Sequence, residues 1–368
     1  MEVRRIDRIE EFRALCRPWD ELVGVSDLDA VFLRHAWFDA WIRAYAAEER
    51  LAIETLWRAG RLAAIAPLQR TTQSFRGVRV RALELLWSAV APRSGWIATR
   101  DEDVAALLDG LLERDDWDVL VAPNWPTDAA TGSALLDAVR RAGLAHQDVP
   151  GFRSPFLRIR GTWDEYWAGL PRERRRYLTK KCTNRLEREG DHEFRRIDTA
   201  EALEAFVPEM YALSEKSWKA GISAELRPDS PVAQLLVGFA RDGLEAGRVR
   251  VETLRLHDEL IAFEYMLVGS GRHSVVRSDY DLAYRYFTPG NSLRLHVLQQ
   301  LFAEGATEYD LGGDPHPYKL EWCDTIRDHR TLTVANRTWR GRLVLGAKTV
   351  LLPALRRLRG AADPGAAA

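Results

Sequence analysis

The chain has few of the features that mark secreted, metal-bound or membrane-embedded proteins. It has three cysteines, Cys16, Cys182 and Cys323, too far apart for a disulfide framework or a zinc-ligand spacing. They read as reduced thiols, and no metal is expected. No apolar run approaches the roughly 20 residues a membrane-crossing helix needs. Met1–Glu11 alternates charge with isolated apolar residues and has no apolar core of a secretion signal. A cytoplasmic location follows as the expectation. A dominant charge is missing too: 53 Lys and Arg stand against 54 Asp and Glu, so electrostatic recognition must come from local patches.

What is present points to a folded, enzyme-sized molecule. Hydrophobic residues make up 46% and there are 13 Trp, a composition that argues against extended disorder. The length of 368 residues exceeds one ordinary core, and two domains of about 150 to 200 residues are expected.

An internal repeat is the most informative feature. Leu51–Leu68 reads LAIETLWRAGRLAAIAPL and Val249–Met266 reads VRVETLRLHDELIAFEYM. At a constant offset of 198 residues, Glu54, Thr55 and Leu56 match Glu252, Thr253 and Leu254, and Leu62 and Ala64 match Leu260 and Ala262. Both segments alternate apolar and polar residues around a short polar turn, Arg58–Arg61 and His257–Glu259, the period-two signature of a hairpin. A helical pattern precedes each, His35–Ala47 and Ala202–Trp218. A strand pattern follows each, Ala82–Trp87 and His273–Ser278. Next come a helix, Val104–Leu112 and Leu293–Phe302, and a short strand, Trp117–Val121 and Glu308–Leu311. The order predicts an α/β fold of mixed sheets in two similar halves, 1–150 and 151–360, each a mostly antiparallel sheet flanked by helices. Phe152–Arg160 alternates as a strand leading into the second half, and 361–368 reads as a disordered tail. Two generic hairpins in unrelated domains would give the same short match.

Three stretches carry a family resemblance: SDYDLAYRYFTPGNSL from Ser278, EYDLGG from Glu308 and PYKLEW from Pro317. Together they resemble the Acetyltransf_6 family of GNAT proteins, which includes members of the CelD and BcsL type linked to exopolysaccharide and cellulose synthesis. A more distant resemblance is to the FemAB peptidyltransferases, themselves tandem GNAT folds. The resemblance covers roughly Glu165–Ala335 well and the first half only loosely.

The resemblance implies two tandem GNAT-like domains. It also implies an acetyl-CoA or other acyl-CoA co-substrate whose pyrophosphate sits at Thr288, Pro289, Gly290, Asn291 and Ser292. The local chemistry agrees: a glycine admits a phosphate closely, and free N–H groups at a helix start favour an anion. Asn291 or Ser292 can cap the helix. The segment lacks the Q/R-x-x-G-x-G/A spacing of typical GNAT enzymes and also serves as a plain helix-initiating turn. The corresponding place in the first half carries Asp101, Glu102 and Asp103, which would repel a pyrophosphate. The donor site is therefore expected in the second half, with a structural or acceptor-binding role for the first.

Acyl transfer needs a polarised carbonyl, a deprotonated acceptor and a protonated leaving thiolate. By the resemblance Tyr318 supplies the last proton, and Asp310 and Lys319 complete the catalytic candidates. Lys319 suits a phosphate or an acceptor carboxylate, although a lone lysine is usually solvated. Asp314 and His316 lie in the adjoining loop. Asp279, Tyr280, Asp281 and Glu264 are secondary candidates near the strand ends.

Two basic segments stand out. Arg172–Glu189 holds eight basic residues against three acidic ones, with Leu178, Cys182 and Leu186 at four-residue spacing. This basic amphipathic helix suits a phosphate at Arg172, Arg176 and Lys180, from CoA, a sugar nucleotide, a lipid or an RNA backbone, or it is simply solvated. Residues 340–359 hold six basic residues and no acidic one among leucines and valines. That fits peripheral contact with the inner membrane face, or packing on the domain. The expected activity is acyl-CoA-dependent acylation of a sugar, glycolipid or amine acceptor, in exopolysaccharide or envelope synthesis. The alternatives are a FemAB-like transferase using aminoacyl-tRNA, and an inactive GNAT scaffold for a polysaccharide synthase.

Overall fold

The repeated hairpins form with matching turns and registers. In the computed structural model, which describes residues 1–26, 30–75, 78–91 and 93–346, β2 (Ile53–Arg58) and β3 (Arg61–Ala66) make the first hairpin. β10 (Val249–Leu256) and β11 (Glu259–Gly269) make the second. Each turn has two left-handed residues, Ala59 and Gly60 at φ 47° and 76°, and His257 and Asp258 at 51° and 63°, the twist that suits a two-residue hairpin. Leu56 pairs with Ala64 and Leu254 with Ala262, and the register slips directly after Leu56 and after Leu254. Equivalent residues thus sit at equivalent bulges 198 positions apart, which makes the repeat structural.

The first strand of each half lies against its hairpin: β1 (Glu2–Ile6) pairs with β2, and β9 (His192–Ile197) pairs with β10. The halves then diverge at Pro67, which has no N–H for a ladder. The chain breaks there into β3 and β4 (Leu68–Phe75), whereas β11 runs on for 11 residues. β4 joins β5 (Val78–Leu85) in a different sheet. β6 (Ile97–Ala98) closes a four-stranded sheet in the order β1-β2-β3-β6.

A ten-stranded sheet runs through both halves in the order β4-β5-β7-β14-β8-β13-β12-β11-β10-β9. Its remaining strands are β7 (Val119–Pro126), β8 (His146–Arg158), β12 (Arg272–Tyr280), β13 (Glu308–Asp310) and β14 (Thr325–Ala335). β8 passes through the expected division at 150/151, and β14 returns from the second half to pair with β7 and β8. An apolar core also crosses between the halves. Trp37, on the helix His35–Ala44, meets Phe239, on the helix Pro231–Gly243, edge to face at 5.2 Å. Such burial and aromatic contact hold the halves together. Of the basic segment 340–359, only residues up to 346 fall within the described part. There the helix Trp339–Gly346 buries Val344 and Leu345 and exposes Trp339 and Leu343. The expected tail 361–368 lies outside the described residues.

Candidate functional site

The site is made where two parallel strands part. β12 and β13 pair from Arg272 and Glu308 as far as Ser274 and Asp310. β12 then continues to Tyr280, while the other chain turns away at Gly312 and Gly313, both left-handed at φ 55° and 54°. From Val275 onward β12 lacks β13 on that side, and its pairing with β11 carries an extra residue at Val276. Between the diverging strands opens a cavity of about 770 Å³. Its lining includes Val275–Ser278, Tyr280, the segment Thr288–Asn291 and the segment Leu311–Asp314, together with His316, Tyr318 and Lys319. Ala89, Val90 and Phe152 bring apolar surface from the first half and β8.

Of the donor-loop candidates, Thr288, Pro289, Gly290 and Asn291 line this cavity. The helix Pro289–Ala303 begins here, preceded by left-handed Thr288. Thr288 O accepts from both Asn291 N and Ser292 N, and Pro289 has no N–H. The free donor left in the first turn among the described residues is Gly290 N–H. Ser292 is buried, and its hydroxyl bonds Cys182 O, Phe287 O and Thr288 O. It locks the loop against the basic helix and does not face the cavity. Asn291 Nδ2 bonds Tyr177 OH at 3.3 Å. A Cβ on Gly290 would meet the Tyr280 ring at 3.4 Å, an ordinary contact.

Tyr318 and Lys319, on the short helix Pro317–Leu320, both reach the cavity. Tyr318 is 43% exposed; its hydroxyl has no hydrogen-bond partner among the described residues, and partial burial raises its pKa above the usual tyrosine value. Lys319 is 9% exposed, and its Nζ donates to Gly312 O. Burial, reinforced by the Arg294 charge, brings its pKa down to about 8. Asp310, by contrast, does not line the cavity. It is fully buried, with one oxygen accepting from Gly312 N at 2.8 Å and the other paired to Arg327 at 2.8 Å. Burial raises its pKa, and the Arg327 and Arg93 charges oppose that rise. Asp310 is built as a brace for the Gly312–Gly313 turn.

Asp279 is also buried, held by Ser214 Oγ at 3.0 Å, Arg277 Nε at 2.7 Å and Lys219 Nζ at 2.8 Å. Asp281 caps the turn Leu282–Phe287 through Ala283 N. Glu264 lies beneath the cavity, paired with Arg294 at 3.1 Å and accepting from Tyr309 OH. Asp314 and His316 are exposed at the rim. Arg172, Arg176 and Lys180 are on the outer face of the basic helix and do not line the cavity. That helix is interrupted by a π-helical turn, Leu178–Thr183, whose Cys182 meets Thr288 Oγ1 at 3.2 Å. In the first half, the acidic turn Asp101–Asp103 is partly neutralised, with buried Asp103 held by Arg58 and Arg100.

Four cavity cations escaped sequence reasoning: Lys219, Arg277, Arg285 and Arg294. Lys219 follows the helix Ala200–Lys216 and donates to Ser278 O at 2.6 Å. Burial lowers its pKa to about 8 against the pull of Asp279. Arg294 sits one turn inside the helix Pro289–Ala303, where an arginine reads as surface. The buried Glu264 opposite it is the one sequence signal that such a partner exists.

This geometry, parallel strands splayed around a helix start, can be compared with known proteins. Residues 173–320 match the family model described as an acetyltransferase (GNAT) domain. No curated protein sequence matches the chain. Among solved structures, FemX is similar over 90% of this chain and 97% of its own, with a TM-score of 0.58 and 12% identity. L-PGS from Bacillus licheniformis is similar over 85% and 96%, with a TM-score of 0.51 and 10% identity. A conserved protein of unknown function from Bacteroides thetaiotaomicron is similar over 91% and 100%, with a TM-score of 0.58 and 11% identity. At these identities the likeness is one of fold. Residues 173–320, which hold the diverging strands and the helix start, are therefore similar to an acetyltransferase (GNAT) domain.

Proposed function

We propose that the protein is an acyltransferase that moves an acyl group from a CoA thioester to an amino or hydroxyl group of a sugar, glycolipid or amine. The observation that carries this reading is the cavity at the β12–β13 divergence, which gathers a free tyrosine hydroxyl and two lysines beside an uncovered strand edge. The β12 edge from Val275 to Ser278 offers main-chain groups to the acyl arm. Tyr318 OH donates to the departing sulfur. Its ordinary pKa near 10 suits a thiolate, and burial keeps the proton on the oxygen until it is needed. Main-chain N–H groups of the same uncovered edge stabilise negative charge that develops on the reacting carbonyl. Asp310 acts through Gly312 and holds Lys319 in place. A role in exopolysaccharide or envelope synthesis rests on the family resemblance.

Two observations favour a second donor, an aminoacyl-tRNA. The helix start offers only the Gly290 N–H, a sparse cradle for a pyrophosphate. Beside it, exposed Arg172, Arg176, Lys180, Lys181 and Arg188 have no ion-pair partner among the described residues, which suits a phosphate backbone. Isothermal titration with acetyl-CoA and longer acyl-CoAs, repeated with Gly290→Asp, separates the two. A Cβ there makes an ordinary contact with Tyr280, and thermal unfolding of the variant checks that it is folded. Saturable CoA binding that Gly290→Asp abolishes supports the thioester donor. Absence of CoA binding, with charged tRNA retained in a gel-shift assay, supports the second.

A further inference from the structure

The cavity is richer in cations than its own carboxylates can neutralise. Lys219, Arg277, Arg285, Arg294 and Lys319 line it. Asp279 serves Lys219 and Arg277, and Glu264 serves Arg294, while Asp314, a carboxylate in the lining, is exposed at the rim and makes no ion pair among the described residues. Lys319 has no ion pair among the described residues. Its one acceptor is a backbone carbonyl, Gly312 O, although the residue is 9% exposed. Asp310 is near, but its two oxygens are committed to Gly312 N and Arg327.

A buried ammonium without an anion is costly, and proteins keep one where a ligand supplies the missing charge. The placement of Lys319 indicates which ligand. Gly312 lies two residues beyond Asp310, the last residue of β13 paired with β12, so Lys319 marks the apex of the divergence. Gly313 makes room there, since a Cβ on it would stand 3.1 Å from Nζ. Phosphate-binding features lie elsewhere, at Gly290 and on the exposed face of the basic helix. The tyrosine next in sequence, Tyr318, is the group proposed to protonate the leaving atom. CoA carries its phosphates a full pantetheine arm away from its thioester. A charge recognised beside the reacting centre therefore belongs to the molecule that receives the acyl group.

We propose that the apex of the cavity is a seat for an acidic group of the acceptor, a carboxylate or a phosphate ester, held by the ammonium groups of Lys319 and Lys219. The acceptor is thus an anionic small molecule or headgroup whose acid lies a few bonds from its reactive amine or hydroxyl. This rests on the proposed acyltransferase reading, and deepens it by naming the substrate class.

The test is calorimetric titration of the purified full chain with citrate and with inorganic phosphate, alone and at saturating CoA. The proteins are wild type, Lys319→Met, Lys219→Met and Lys180→Met. Saturable binding that weakens at least tenfold in the two cavity variants, and persists with CoA bound, supports the seat. Thermal unfolding of each variant establishes that it is folded. Binding that is absent, or unchanged in both cavity variants, overturns the seat. Loss confined to Lys180→Met also overturns it, by placing the anion on the outer helix. Competition by CoA assigns the two lysines to the donor and overturns the acceptor seat. Failure of CoA to bind at all sinks the thioester reading alone, because the anion isotherm is still read by itself.

Discussion

Arg196 on β9 stands directly across from Glu252 on β10, with its Nε 2.8 Å from the carboxylate, and Arg5 on β1 faces Glu54 on β2 in the same way at 2.5 Å. Both glutamates are buried, and each has a second arginine, Arg250 at 2.8 Å and Arg114 at 3.4 Å. Even the flanking bonds repeat, since Thr55 Oγ1 donates to Arg4 O and Thr253 Oγ1 to Arg195 O. Each cluster ties the first strand of its half to the hairpin. Glu54→Ala or Glu252→Ala removes the buried carboxylate of its cluster and leaves Asp116 to Arg5 or Glu304 to Arg250 and Arg196, and each is expected to destabilise the fold by about 1–3 kcal/mol. Urea unfolding reads the loss. A loss below about 1 kcal/mol in both would show that the arginines find water instead.

Lys319 gives a prediction in which stability and activity move in opposite directions. Its folded pKa of about 8 lies below the unfolded value of 10.5. Below pH 8 both states carry the proton, and the fold bears the whole cost of the buried charge, of the order of 3 kcal/mol. Between pH 8 and 10.5 the fold sheds the proton before the unfolded chain does, so this cost fades as pH rises. Lys319→Met is therefore expected to be more stable than wild type at pH 7, by roughly 1–3 kcal/mol, with a gain that shrinks at pH 9.5. Acyl transfer is expected to fall. Urea unfolding at the two pH values checks the first part, and a Met variant less stable at pH 7 refutes it.

Tyr318→Phe removes a hydroxyl that makes no hydrogen bond to the described protein, so its stability is expected to change little. Removal of a general acid costs about 100-fold or more in kcat. The loss is expected in kcat with KM nearly unchanged, measured by thiol release from acyl-CoA once an acceptor is in hand. A variant with full kcat would transfer the acid role to one of the cavity lysines, Lys219 or Lys319.

The hairpins and helix starts were legible because they are local: alternation, a two-residue turn and a proline-glycine helix entry each fit within a few residues. The matching bulges after Leu56 and Leu254 follow from the repeated ETL and L-x-A pattern. Pairings that depend on distant chain were not legible. Nothing near Thr325–Ala335 announces that β14 returns to join β7 and β8, and this return makes one sheet of the two halves. Among the candidates, Tyr318 and Lys319 were named through their motif, and both line the cavity. Asp310 belongs to the same motif, yet its side chain serves Arg327, whose position only the fold reveals. Lys219 and Arg294 were missed for the same reason, because a cation on a helix reads as solvated until a buried Asp279 or Glu264 is found beside it.

Two of the buried histidines contribute most clearly to the acid sensitivity of the fold. His273 on β12 and His329 on β14 are 7% and 2% exposed. Burial, with Arg250 near the first and with Arg327 and Arg93 near the second, lowers each pKa to about 4. The unfolded chain takes up these protons near pH 6.5, while the fold refuses them until about pH 4. Across that window the unfolded state binds more protons, so stability falls as pH falls, by up to roughly 3 kcal/mol for each histidine. Below pH 4 both states are protonated and the slope from these groups ends. His329→Asn keeps a donor for Phe152 O, which the His329 ring contacts at 3.1 Å, and removes the titration. This variant combined with His273→Gln is expected to flatten the stability profile between pH 6.5 and 4, read by urea unfolding at half-unit steps. A profile as steep as that of wild type would assign the acid sensitivity to His35 and His296, whose pKa values burial also lowers.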